Sequence, residues 1–422
     1  MEFTLAGGTV VSCGKKPGTG KVSVKGENIV SGKGRVSFDL RGKSCVYPSL
    51  INSHDHLQGN FLPQVGPEQG KFYLSWLPWD KDLKASEVFK ERSLLTRKDL
   101  YDLSGYKCLF SGVTTVNDHF PQKLNRDILP LLPVRAIPGY GIAHECSSYD
   151  LRWGDGIEAE HARAKKNKWP FISHLCEGFD SEAMHGIEAL ENHKVLDRHC
   201  LLIHCISFSD ADIKRAAKAG VSVSWCARSN MFMFNVTLKI RKMIKAGLNI
   251  TIGTDSCATG SVNILDEMKY ARSIYRNMYG EDLRAEKIFN MVTYNAAKAF
   301  WMSDRTGTLE EGKLGDILVI KKNCDDPYEN LVNASMHDIE LLVLAGTPIY
   351  GEMRFLSIFD TTDMSVLKDN YSQIEVGNRA MFVKGDPAGL YMSVRRKIGF
   401  KKVLDFLPFD LPESLQKDKN HA

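Results

Sequence analysis

The chain has 422 residues, 43% of them hydrophobic and 25% charged, proportions ordinary for a globular enzyme. That length accommodates one large barrel with a smaller accessory unit. Lys plus Arg number 55 against 51 for Asp plus Glu, and the resulting net charge of +4 is dispersed, which argues against a nucleic-acid or membrane partner.

The start, MEFTLAGGTVVSCGKK, has no basic segment ahead of a long apolar run, so no signal peptide is expected. No stretch approaches the length of a transmembrane helix. The basic stretches 163–168 and 395–402 read as solvated helix faces. Ten cysteines occur without a CxxC pair, which points to a reducing, cytoplasmic setting. Cys176, Cys205, Cys226 and Cys257 are expected to pack behind strands as small apolar groups.

In chain order, residues 1–48 alternate apolar and polar positions in short glycine-broken runs, FTLAGGTVV and GKVSVKGENIVSG, as strands of an antiparallel sheet do. The pattern returns over 305–365 in GTLEEGKLGDILVIKK, IELLVLAGTPIYG and EMRFL. The two ends are therefore predicted to form one small β-sandwich. Residues 366–422 are expected as a helical tail, from the spacing in LYMSVRRKIGFKKVLDFL.

The middle, 49–304, alternates buried strands with amphipathic helices. Strand candidates are SCVYPSLINSH (which begins just ahead of it), VTTVNDH, VRAIPGYGIAH, PFISHL, CLLIHC, VSVSW and LNITIGTD. Helix candidates between them include RKDLYDLSGYKCLFSG, EAEHARAKKN, SDADIKRAAKAG and NVTLKIRKMIKAG. This alternation predicts an α/β fold, a (β/α)8-type barrel. Only seven strands stand out, so either one is disguised between 57 and 100 or a strand-helix unit around 119–140 is degenerate.

Nearly every predicted strand ends in a metal-competent residue. The first ends in His54-Asp55-His56, where alternation puts both imidazoles on one face. His174 closes PFISHL, His204 closes CLLIH and Asp255 closes ITIGTD. Barrel strands converge at their carboxyl ends, so these imidazoles and the carboxylate meet there, and three imidazoles with a carboxylate are a donor set suited to zinc or iron with one position open. Glu177, three residues beyond His174, can face the same space and shuttle protons; its competing reading is an acid at the start of the next helix.

The segments YPSLINSHDHL, SGVTTVNDH, VRAI, ISHLCEG, LLIHCISFSDADI, SVSWCARSN, ITIGTDSCATGSVNILDEM and TYNAAKAFWMSDRTGTLEEGKLGDILVI resemble, in order, the amidohydrolase superfamily. Within it they are most similar to the cytosine-deaminase-like branch of triazine hydrolases and nucleoside deaminases, over roughly 43–320. The resemblance implies that His54, His56, His174 and Asp255 hold one divalent ion, zinc first and iron as the alternative. It implies that Glu177 is the proton-shuttling acid, that His204 contacts the attacking water or the tetrahedral centre, and that Asp255 takes a proton from the water. His144, in GIAHECSS, is similar to a histidine that touches substrate. Arg228 and Asn230 match a post-strand segment, with CARSN replacing the usual Cys-Pro form. The path from HxH to His174 is short for this branch, and no lysine ends VRAIPGYGIAH, which favours one ion over two.

The expected reaction is hydrolytic deamination of an amino-substituted nitrogen heterocycle (purine, pterin, nucleoside or triazine). Alternatives are expulsion of chloride or alkylamine from a triazine-like ring, hydrolysis of a cyclic amide, and a catalytically silent assembly protein. The expected partners are the small heterocyclic substrate and, by resemblance, a second copy of the chain in a homodimer.

Overall fold

The computed structural model describes residues 1–361 and 363–409. Five strands open the chain: β1 (Glu2–Val10), β2 (Gly18–Lys25), β3 (Asn28–Val30), β4 (Val36–Asp39) and β5 (Ser44–Pro48). Five more follow the central region: β14 (Ile317–Lys321), β15 (Ile339–Leu344), β16 (Thr347–Glu352), β17 (Tyr371–Val376) and β18 (Arg379–Lys384). They form one ten-stranded sheet in the order β17-β18-β16-β15-β14-β5-β1-β2-β3, with β4 on β1. The chain ends therefore meet, through β5 running antiparallel to β14 with Pro48 opposite Ile317. The two ends are expected to form a β-sandwich; the described strands of both ends are hydrogen-bonded into one sheet.

The period of two explains why its central strands read as unbroken apolar runs. Val46, Ile317, Val319, Leu341, Val343 and Phe382 share one small core with Phe3, Leu5, Val22 and Val24. Their neighbours Cys45, Tyr47, Leu318, Ile320, Leu342 and Val383 face the opposite way, into the large central core. A strand buried on both faces has no polar face to alternate with.

Eight strands lie between these groups. A three-stranded parallel sheet holds β6 (Leu50–Asp55), β7 (Val113–Asp118) and β8 (Arg135–Ala136). A five-stranded parallel sheet holds β9 (Gly141–Glu145), β10 (Phe171–Leu175), β11 (Cys200–His204), β12 (Ser222–Trp225) and β13 (Asn249–Ile252). The segment VRAIPGYGIAH, expected as one strand, is thus two, and no helix separates them. Pro138 and Gly139 fall between, where a residue without an N–H cannot continue a ladder. The degenerate unit lies at 119–140, one of the two places the sequence offered, and it brings the strand count to eight.

The end of β13 lies against β6. Asp255 N–H donates to His54 C=O at 3.1 Å, and a Cβ on Gly253 would sit 2.6 Å from His54 Cβ. On the outside, helix Asp210–Ala219 shows how sequence sets an element. Ser209 and Asp212 form a capping box at its start, Ile213 and Ala216 face inward, and Gly220 ends it at φ 74°.

The segment expected as a helical tail behaves differently. Its first part is the β17-β18 hairpin, which extends the sheet beyond β16. Helix Pro387–Ile398 follows and packs Val394 and Ile398 with Leu100 and Leu103 of helix Arg97–Phe110. Residues 410–422 of that expected tail lie outside the described residues. No helix among the described residues is long and apolar enough to cross a membrane.

Candidate metal and catalytic site

The strand ends converge as their sequence suggested. His54 Nε2 and His56 Nε2 each lie 3.9 Å from Asp255 Oδ1, and His56 Nε2 lies 3.2 Å from His174 Nε2. Nitrogens bound to one ion by bonds of about 2.0–2.1 Å would be spaced about 3 Å apart. His54 is wholly buried and neither ring nitrogen has a protein partner. A buried imidazole with nothing to bond costs free energy unless a cation or ligand meets it, so the donor set fits a metal ion.

Burial pushes His54, His119 and His174 well below the ordinary imidazole range, and the neighbouring imidazoles push further in the same direction. The rings are therefore held neutral, the form that donates a lone pair. The hydrogen bonds also select tautomers. His174 Nδ1 donates to His144 C=O at 2.7 Å, leaving Nε2 for the site. His204 Nδ1 donates to Asn230 Oδ1 at 2.7 Å, leaving Nε2 facing Glu177 Oε1 at 3.4 Å and Asp255 Oδ2 at 4.0 Å.

Asp255 is buried, which raises its pKa, but His56, His204 and the Ser229 hydroxyl outweigh this and hold it low. Its Oδ2 accepts from Ser229 at 2.8 Å and Thr259 at 3.0 Å, and Oδ1 from Ser256 N–H at 2.6 Å. Glu177 goes the other way: burial, then the Asp255 and Glu145 carboxylates, raise its pKa well above the ordinary carboxyl range. The pKa values of two carboxyls in one site are thereby pushed apart, Glu177 up and Asp255 down. Backbone geometry shares in the arrangement: His204 (φ 68°) and Asp255 (φ 55°) are both left-handed without being glycine, a conformation concentrated at functional sites.

These groups open onto a cavity of about 340 Å³, whose walls include Trp76, Trp79, Phe89, Phe120 and Trp153. His144 lies in that wall, edge-on to Trp76 at 4.4 Å and Trp153 at 4.7 Å, with its pKa lowered to about 3 by burial and then His56. Glu177 begins no helix; its C=O accepts from Trp76 N–H at 3.3 Å, and its side chain lines the cavity. Asn230 does not line it but backs His204. Arg228 is turned away, its guanidinium 4.9 Å from the Tyr270 ring centre, in a separate groove with Lys269 and Asp266. Placing it beside the substrate by sequence neighbourhood fails because helix Ala227–Phe234 points successive side chains about 100° apart. Cys176, Cys205 and Cys226 are buried as packing groups, and Cys257 is partly exposed.

Two residues of the site were not singled out from sequence. Lys107, from helix Arg97–Phe110, reaches Asp55 Oδ2 at 2.9 Å, Asn60 Oδ1 at 2.7 Å and Asp255 C=O at 3.3 Å. Nothing in a helix marks such a lysine beforehand. His119 follows β7 as His56 follows β6, and its nitrogen joins those of His54, His56 and His174 within 4.8 Å. For it the strand-end signal was present, in VTTVNDH.

Residues 159–349 match the model of the amidohydrolase family. A 5'-deoxyadenosine deaminase of Methanosarcina barkeri is 30% identical over 411 residues, spanning 85% of this chain and 91% of that protein. A 5-methylthioadenosine/S-adenosylhomocysteine deaminase of Caldicellulosiruptor saccharolyticus is 30% identical over 190 residues, and this match spans 43% of the chain and 44% of that protein. Among solved structures, the zinc complex of atrazine chlorohydrolase from Arthrobacter aurescens superposes with a TM-score of 0.69 at 18% identity, covering 82% of this chain and 95% of that one. That likeness is one of fold, an α/β barrel.

Proposed function

From the premise that the chain belongs to the amidohydrolase family, we propose that it is a metal-dependent deaminase that hydrolyses the C–NH2 bond of a nitrogen heterocycle. One observation carries the reading. Glu177, its pKa raised by burial and by two carboxylates, lies 3.4 Å from His204 Nε2, the ring nitrogen that the bond to Asn230 leaves free to accept, at the wall of the imidazole cage. An acid and a base side by side are what addition of water and loss of ammonia require.

His54, His56, His174 and Asp255 would hold one divalent ion, zinc first and iron second, because neutral imidazole and carboxylate suit both. When bound, such an ion supplies the Lewis acidity that makes water nucleophilic near neutral pH. Glu177 gives its proton to the ring nitrogen beside the attacked carbon. His204 Nε2 and the Asp255 carboxylate accept the hydrogens of the attacking water, and His204, once protonated, stabilises the new C–O bond. Glu177, recharged with the water hydrogen that Asp255 took, delivers it to the departing amino group, and the hydrogen held on His204 then returns to Glu177, so that water and C–NH2 become a ring carbonyl and ammonia with every group restored. Asn230 holds His204 in the tautomer that can accept, and the tryptophans of the cavity exclude bulk water.

The names of the relatives support an adenine nucleoside within the wider class of purine, pterin, nucleoside and triazine rings. The same reading takes 49–304 as the barrel, gives residues 1–48 and 305–365, together with the β17-β18 hairpin that extends their sheet, to the unit built from both ends, and pairs the chain as a homodimer. The ten free cysteines support a reducing, cytoplasmic setting. The test is ammonia release by zinc-loaded protein from a panel led by 5'-deoxyadenosine and 5'-methylthioadenosine, with aminopurines, pterins and aminotriazines behind them. Chloride or alkylamine release from a triazine, without ammonia from any member, would replace this reading with the rival leaving group.

A further inference from the structure

The geometry points to His119 Nδ1 as a fifth protein donor to the same ion, a ligand from β7 beyond the four that the strand-end pattern supplied. This inference rests on the metal reading above. His119 Nε2 lies 3.0 Å from Ala143 C=O. A carbonyl only accepts, so Nε2 carries the hydrogen. Nδ1 is buried and has no protein partner. A second N–H there would be a buried donor with nothing to receive it, so Nδ1 presents a lone pair.

That is the arrangement by which His174 is prepared. One nitrogen donates to a backbone carbonyl, which fixes the ring, and the other turns inward. The ring of His119 stacks on His174 at 4.2 Å between centres, and lies 5.3 Å from His54 and 5.7 Å from His56. One nitrogen of each of these four rings falls within 4.8 Å of all the others. Nitrogens on one ion stand about 3 Å apart and at most about 4.2 Å, twice a metal–nitrogen bond, so rings already this close reach a common ion by a modest inward shift. With Asp255 they would make five donors supplied by this chain. The segment has a structural reason to be where it is. The missing helix between β8 and β9 lets the residue after β7 reach across to β9, and His119 bonds to Ala143 of that strand.

The test compares wild type with His119→Ala, His119→Phe and His174→Ala, checked for fold by circular dichroism; the phenylalanine keeps the ring bulk without a nitrogen. Zinc content and zinc affinity by chelator competition are measured, with the visible spectrum of the cobalt(II)-loaded proteins. We expect both His119 variants to keep one ion per chain but to bind zinc about tenfold or more weakly. Their cobalt bands should shift and intensify as the coordination number falls, and added imidazole should return His119→Ala towards the wild-type spectrum. Wild-type zinc affinity and an unchanged cobalt spectrum in both His119 variants would overturn the inference while leaving the four-ligand site standing, provided His174→Ala loses the ion. A wild-type chain that takes up no zinc or cobalt would overturn the metal reading itself, and the fifth ligand with it.

Discussion

Lys107 and Asp55 form an ion pair closed to solvent, with Nζ 2.9 Å from Oδ2 and both side chains at 1% exposure or less. Asp55 stands between His54 and His56, so the pair ties an outer helix to the end of β6, where two of the proposed ligands sit. Burial alone would lower the lysine pKa, but Asp55 reverses this and raises it above its ordinary value. Lys107→Met would strand the Asp55 charge, and loss of one partner of a buried pair costs about 3–5 kcal/mol. Urea unfolding should show that loss, and adding Asp55→Asn should recover part of it. A single variant as stable as wild type would show that the pair is not needed to hold the end of β6.

Glu177→Gln keeps size and much of the hydrogen bonding but removes the titrating proton. Turnover should fall by at least about 10²-fold, the usual share of a positioned acid-base group, with metal content unchanged. His174→Ala should lose ion and activity together. Near-normal turnover of Glu177→Gln on a confirmed substrate would pass the proton to Asp255 or His204.

Asn230 acts through His204, to which its Oδ1 is bonded at 2.7 Å. Asn230→Leu frees the ring to take the wrong tautomer, and activity should drop about 10- to 100-fold. The loss should appear in kcat more than KM, because Asn230 does not line the cavity. A change in KM alone would count against a positioning role.

Glu267 supplies the pH test. It is buried, accepting from Ser261 Oγ at 2.5 Å and Arg228 N–H at 3.1 Å, and burial raises its pKa to about 7 against those bonds. A folded pKa above the unfolded one means stability that is present below the unfolded pKa, near 4.5, and lost as pH rises through about 7. Glu267→Gln escapes that loss. Between pH 5 and pH 8 its stability should gain on wild type by up to about 3 kcal/mol. Parallel unfolding midpoints at the two pH values would refute the buried-acid assignment.

What short-range rules carry could be read along the chain. Strand-helix alternation placed the parallel strands, and HxH, His174, His204 and Asp255 were legible because strand ends are covalent facts that one convergent topology gathers. Apolar runs at 44–55 and 317–321 announced strands, and the return of the pattern announced that the two ends join, but not which strands pair, since pairing of β5 with β14 spans the whole central region. Tertiary structure alone decided which neighbours of a motif face the site. Arg228 and Asn230 sit two residues apart on one helix and diverge, because a helix turns side chains about 100° per residue. It also decided the reach of Lys107, whose charge is tolerable inside only because Asp55 meets it there. It decided how Glu177 and Asp255 differ as well, since a carboxyl takes its protonation from surroundings that no local stretch of chain contains.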